Sequence, residues 1–309
     1  MINKGKKSLV LILFGLMLIC AGVGTLIAYA YNPGDPFNII GGKYSVNVDE
    51  AKTADIKDVD EISVNVSSAD INIIPEDRED VKAVLSGYIK SSSEVAKPEL
   101  TVDKSSNKLS IGIKGQNSFW GFVNISLKMD VYIPKSYSKD LSLDSSSGEM
   151  NLTEKLTLNN LICSLSSGDL TIKDTTCNKF SYDCSSGSMK ADILKTQETK
   201  LDSSSGDITI KSFTGNVEGE SSSGEISIAY SEFNNNVNLT ARSGEINIKL
   251  PKNSEFYLDA NCSSGEVDCD FPVTISGKKK DNTLTGTVVS DKNKIKLNTS
   301  SGDINVKYQ

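Results

Sequence analysis

One short step recurs along the second half of this 309-residue chain: Ser-Gly, with an acid after the glycine in all copies but one. The copies centre on Gly148, Gly168, Gly187, Gly206, Gly224, Gly244, Gly265 and Gly302. Successive gaps are 20, 19, 19, 18, 20, 21 and 37 residues, and the last is close to two periods. A fixed period near 19 residues is the mark of a stacked repeat, so it constrains the fold before any other feature.

Aligning the copies on glycine shows what each coil buries. Seven residues before it stand Leu141, Leu161, Phe180, Thr199, Val217, Val237, Leu258 and Ile295. Five before it stand Leu143, Cys163, Tyr182, Leu201, Gly219, Leu239, Ala260 and Leu297. Two after it come Met150, Leu170, Met189, Ile208, Ile226, Ile246, Val267 and Ile304, and four after it a similar apolar set. Alternation of this kind is strand periodicity with one face inward. The inward parity is odd before the glycine and even after it, so the chain turns a corner there. Glycine suits such a corner because it tolerates positive φ and close backbone approach. Each repeat therefore reads strand, corner, strand, short return loop. The expected fold is an all-β, single-stranded, right-handed β-helix-like solenoid with coils of about 19 residues.

The N-terminus is different. Lys4, Lys6 and Lys7 precede an uncharged, apolar run over residues 9–30. About 20 apolar residues span a bilayer as a helix, and positive charge before them keeps the N-terminus inside. Residues 8–30 are therefore expected to anchor the chain in the cell membrane, with the remainder outside. A cleaved signal peptide is the alternative, since Ala28, Tyr29 and Ala30 fit a cleavage pattern. Residues 31–60 read as a linker, 61–135 as opening cap strands and 136–309 as the repeats. Within the cap, Ser67, Ser68, Ala69 and Asp70 look like a founding copy with alanine at the corner. Residues 273–275 and 287–289 are expected to pair as a hairpin that fills the long last gap.

Composition excludes several kinds of chemistry. The chain has no histidine, which removes Ser-His-Asp and Cys-His catalysis and His-ligated zinc. Net charge is −7, and the exterior shows no basic stripe, which argues against nucleic-acid binding. Cys20, Cys163, Cys177, Cys184, Cys262 and Cys269 have no CxxC spacing. Cys184 and Cys262 share a column but lie four coils apart in sequence, beyond disulfide reach. Buried free thiols are the expectation, with one disulfide or a metal as lesser alternatives.

Three groups remain as candidates for function. Glu149, Asp169, Asp207, Glu225, Glu245, Glu266 and Asp303 form an acidic column after the glycine. They serve as hydrogen-bond acceptors at the corner, as calcium ligands (Asp202 with Asp207, Glu220 with Glu225), or as a ligand contact. The serine before each glycine repeats eight times, whereas a nucleophile needs one activated copy, so a hydroxyl ladder is the simpler reading. Phe119, Trp120 and Phe122 cap the open end of the core or form a partner contact. No catalytic residue, cofactor site or metal site is assigned.

The copies at Ser166 to Leu170, Ser204 to Ile208 and Ser300 to Ile304 resemble the bacterial β-strand-repeat "putative adhesin" family, a domain of unknown function in cell-envelope proteins. Residues 67–75 and 131–134 are similar to its opening strands. The resemblance implies a β-solenoid, a surface or envelope-stress setting and no catalytic residues. Three functions follow as expectations. The first is an adhesin-like surface protein that binds a protein or cell-wall glycan. The second is an envelope-stress component with a membrane partner. The third is a polysaccharide-active β-helix enzyme.

Overall fold

The computed structural model describes residues 44–115, 123–275 and 281–309. The anchor, the cleavage alternative near Ala30, and Phe119, Trp120 and Phe122 lie outside the described residues. The chain divides into two compact units. In the smaller, which includes Tyr88–Lys97, the Lys90 ammonium lies 5.3 Å from the centre of the Tyr88 ring. The larger comprises Val48–Gly87, Pro98–Gln116 and Ser126–Gln309 and holds every repeat.

The described elements are all strands. In the repeat unit, parallel strands stack in register, so that Leu170 faces Met150 on one side and Met189 on the other. The columns read from the sequence are inward: Leu161, Cys163, Leu170 and Ile172 are all fully or almost fully buried. Val267 and Cys269 are half-buried, because the coil that carries them has a parallel neighbour on one side only.

The Ser-Gly corner carries the ladder round the bend. Gly187 N–H donates to Ser205 O at 3.0 Å, and Met189 N–H to Asp207 O at 2.9 Å; Gly206 and Ile208 repeat this on the next coil. Gly206 has φ +119°, and a Cβ there would lie 2.0 Å from Gly187 O. Stacked corners thus leave no room for a side chain. Ala69 does occupy the founding corner, and a Cβ on Gly148 would meet its carbonyl oxygen at 2.4 Å.

Two expectations are corrected here. The return from one coil to the next is not a loop in the central coils. Met150–Ser167, Leu170–Ser186, Met189–Ser205 and Ile208–Ser223 run as continuous bent strands. They bring in a third inward column, Leu156, Thr175, Leu194, Phe213 and Tyr230. In addition, residues 44–55, read as linker, form the strand Tyr44–Asp55. Only Val48 is buried along it, so the segment carries almost no burial periodicity to read.

The coils do not stack in sequence order. Val237–Ser243 pairs with Lys294–Ser301, which in turn pairs with Phe256–Ser264. Likewise Ile246–Leu250 meets Ile304–Tyr308, which meets Val267–Cys269. The last coil of the chain is thus inserted between the Gly244 and Gly265 coils. The other end does the same: Glu61–Ser68 lies between Lys108–Lys114 and Asp140–Ser147. Neither the first nor the last coil is terminal. The outer positions are closed by antiparallel strands, Glu99–Ser105 at one end and Thr283–Val288 at the other. An antiparallel strand ends the register that another repeat would extend. Thr274 and Ile275 pair antiparallel with Thr287 and Gly286, so the expected pairing forms one residue out of the expected register, with Val273 and Val289 outside it.

Towards the inserted coil the core becomes aromatic. Phe213, Tyr230, Phe233, Phe256 and Phe271 meet edge to face, with successive ring centres 5.0, 5.0, 6.1 and 5.2 Å apart. This arrangement suits the ring quadrupole. The Tyr230 hydroxyl donates to Gly215 O at 3.3 Å, which satisfies its polar end inside the core.

Thr175 in the third column is fully buried, and its hydroxyl has no partner. A buried unpaired hydroxyl costs about 1–3 kcal/mol. Thr175→Val should therefore raise stability by about 1 kcal/mol in chemical unfolding. A loss of similar size would show that the hydroxyl is bonded.

Candidate groove across the coils

The aspartates of the acidic column are corner acceptors. Asp70 Oδ1 takes Glu149 N–H at 2.9 Å, Asp169 Oδ1 takes Ser188 N–H at 2.8 Å, and Asp207 Oδ1 takes Glu225 N–H at 2.8 Å. Asp303 Oδ1 takes Glu266 N–H at 2.9 Å. Each aspartate serves the next coil in space, and Ser188 Oγ fills the same place for Asp207 N–H at 3.4 Å. Of the residues in the first calcium pairing, Asp207 is engaged in this way and Asp202 pairs with Lys200 at 2.7 Å. Among the described residues, no group of three or more acidic or thiol side chains is placed to hold a metal ion. The serines before the glycines do not form a hydroxyl ladder. Their side chains are exposed, and in Ser186, Ser205, Ser223, Ser243, Ser264 and Ser301 it is the main-chain carbonyl that bonds.

The five described cysteines are free thiols. Cys163, Cys177, Cys184 and Cys262 are buried. Burial pushes Cys177 up to about 12 and raises Cys163 as well, so neither is a thiolate near neutral pH. The inserted coil adds one step between Cys184 and Cys262 beyond the four counted from sequence.

On the exposed face after the corner, Asp192 bridges Lys173 at 2.6 Å and Lys211 at 2.8 Å. Hydrogen bonds from Lys173 and then Lys211 hold its carboxyl at about 2. A depressed carboxylate contributes stability above its ordinary range and loses it as pH falls towards about 2. This is register and solubility rather than a site.

A concavity of about 1030 Å³ lies on the outer face before the corner. It runs over the outward columns eight and six residues before the glycine. In spatial order the first is Asn160, Lys179, Glu198, Asn216, Asn236 and Lys294; the second is Ile162, Ser181, Lys200, Glu218, Asn238 and Lys296. Lys292 adds to its end. Short serine and asparagine side chains leave space between the longer lysines and glutamates. Five lysines face two glutamates in a chain of net charge −7. Stacking therefore gathers on one face lysines that are scattered in the sequence, most of them at one end. The inserted coil supplies Lys292, Lys294 and Lys296, none of which makes an ion pair among the described residues.

The amides of the groove are oriented by the backbone. Asn216 Oδ1 accepts Asn236 N–H at 2.9 Å, and Asn236 Oδ1 accepts Lys294 N–H at 2.9 Å. With the oxygens engaged, their amide N–H groups face outward as donors. Asn160 donates to Asp140 Oδ1 at 3.0 Å. Ile162 is the apolar side chain of the groove that reaches solvent, at 45% exposed. The signal for this groove was lysine at alternate positions: Lys294 and Lys296 share one face of the strand Lys294–Ser301, and Lys292 stands two residues before it.

No curated protein matches the chain. Among solved structures, a "putative adhesin" from Bacteroides fragilis is 14% identical, covers 86% of this chain and 98% of its own, and has a TM-score of 0.47. A "putative lipid binding protein" from Parabacteroides distasonis is 18% identical over 86% and 98%, with a TM-score of 0.46. A "putative cell adhesion protein" from Clostridium sporogenes is 16% identical over 85% and 100%, with a TM-score of 0.29. The names describe those proteins. The Toastrack DUF4097 family matches residues 59–307, nearly the whole described solenoid. The chain belongs to the Toastrack DUF4097 family.

Proposed function

We propose that this chain is a membrane-tethered surface protein whose solenoid binds a partner along its flank, adhesin-like, and does so without catalysis. The observation that carries this reading is the groove that crosses six coils on one face. Repeat stacks offer extended surfaces, and a shared ligand along such a surface needs no unique activated residue. Apart from that groove, the repeated polar groups serve the stack itself: aspartates hold the next coil and exposed ion pairs keep register. Residues 8–30 supply the tether in this reading. The envelope-stress alternative places its contact in that same segment, outside the described residues.

The test uses the full chain in its own membrane. External protease on intact cells should remove the solenoid. Solubilised full-length protein should retain cell-wall material from an envelope extract. A solenoid protected from protease, or one that retains nothing, would overturn the reading. Cleavage of a polysaccharide that is abolished by one carboxylate substitution would replace it with the enzyme.

A further inference from the structure

We infer that the groove is a binding site for an acidic polysaccharide laid along the stack, an inference that rests on the binding function proposed above. Three observations select this ligand class. The first is charge. A chain of net charge −7 gathers five lysines and two glutamates in one concavity. Lys292, Lys294 and Lys296 form no ion pair among the described residues, and across the adjoining strand Lys294 is in register with Tyr257 and Lys296 with Asp259. Ammonium groups without partners at one end of a groove complement anionic groups.

The second is the polarity of the hydrogen-bonding groups. Asn216 and Asn236 have their amide oxygens fixed by backbone N–H groups of the next coil, so both present donors to the groove. Ser181 and Asn238 add groups that can donate or accept. A chain rich in hydroxyl and carboxylate oxygens meets these needs at every coil. The coils repeat at ~4.8 Å, so six of them line roughly 24 Å of ligand.

The third is what the groove lacks for a peptide. It lies over a sheet face whose backbone groups are already paired in the parallel ladder, so strand addition has no edge to use. Side-chain anchoring has only Ile162 as an exposed apolar contact. Peptide recognition in a groove ordinarily depends on one or the other.

The experiment measures binding of the full chain to polygalacturonate, with neutral dextran and poly-L-glutamate as comparators. Polygalacturonate should bind, weaken with added salt, and bind better than either comparator. Replacing Lys292, Lys294 and Lys296 together by serine should weaken it about tenfold or more without changing thermal stability. Asn236→Asp keeps the acceptor for Lys294 N–H but removes the donors and adds a negative charge. It should weaken binding about tenfold as well. Serine at Lys190, Lys211 and Lys249, on the face after the corner, makes the same change in net charge and should leave binding within about twofold. Equal loss from both lysine triples would show a non-specific charge effect and overturn the site. Equal or tighter binding of poly-L-glutamate would overturn the ligand class in favour of an acidic peptide. No binding of polygalacturonate by the unaltered chain would also overturn the proposal. If wall material is still retained in that case, the surface-binding function stands and only this ligand assignment fails.

Discussion

Gly206→Val should lower stability by roughly 4 kcal/mol or more, a loss in the range reserved for a few severe mechanisms. The reason is the corner geometry. A Cβ at position 206 would sit 2.0 Å from Gly187 O and 2.6 Å from Gly187 C, both backbone atoms of the next coil. The φ of +119° is itself costly for any residue with a side chain. Gly206→Ala should be nearly as damaging, because the first carbon already collides. Ser204→Ala, two residues away and exposed, should stay within about 0.5 kcal/mol. Thermal unfolding of the three variants gives the comparison. A tolerated alanine at 206 would mean that the corners are not stacked carbonyl on glycine.

Phe256→Ala should cost about 3–5 kcal/mol. Phe256 is fully buried and packs edge to face with Phe233 and Phe271, at ring distances of 6.1 and 5.2 Å. It stands on the strand that covers the inserted coil, so its loss opens a cavity at the point where the stack is closed. Circular dichroism during denaturation measures the effect, and Phe256→Leu should recover much of the loss by refilling volume. A change below about 1 kcal/mol for alanine would show that the aromatic row does not hold this end.

Much of this fold was legible because stacking forces like onto like. The glycine columns, the inward columns before and after them, and the founding copy at Ala69 were all readable by alignment. The third inward column was not. Leu156 lies eight residues after its glycine, Thr175, Leu194 and Phe213 seven, and Tyr230 six. No single offset from the glycine aligns all five, so an alignment on glycine does not reveal the column. Coil order was hidden for a different reason. Every coil presents the same register to its neighbours, so a pattern of identical columns cannot say which copy lies beside which. That choice is made by the closing strand Thr283–Val288, which pairs antiparallel with Phe256–Ser264 and leaves the last coil only the inner position. The long-range pairings at both ends, such as Ser68 with Ser147 and Val237 with Ile295, also mark the fold as one of high contact order.

The groove depends on that same order. Asn236 and Asn238 face Lys294 and Lys296 only because the last coil is inserted; stacking by sequence would put Tyr257 and Asp259 there. Individual lysines at 292, 294 and 296 read as a solvated face, and their meaning appears only when they are placed beside Asn216, Asn236 and Asn238.

Cross-linking decides the order directly. Asn238 and Lys296 are in register on adjacent strands, so their Cα atoms lie ~4.8 Å apart, within disulfide reach. Asn238 and Asp259 are two strands apart, about 9.6 Å and out of reach. In the folded full chain under mild oxidation, paired cysteines at 238 and 296 should form a disulfide detectable by mass spectrometry. Cysteines at 238 and 259 should not. A bond at 238–259 with none at 238–296 would mean that the coils stack in sequence order, and both the inserted coil and the groove built on it would be wrong.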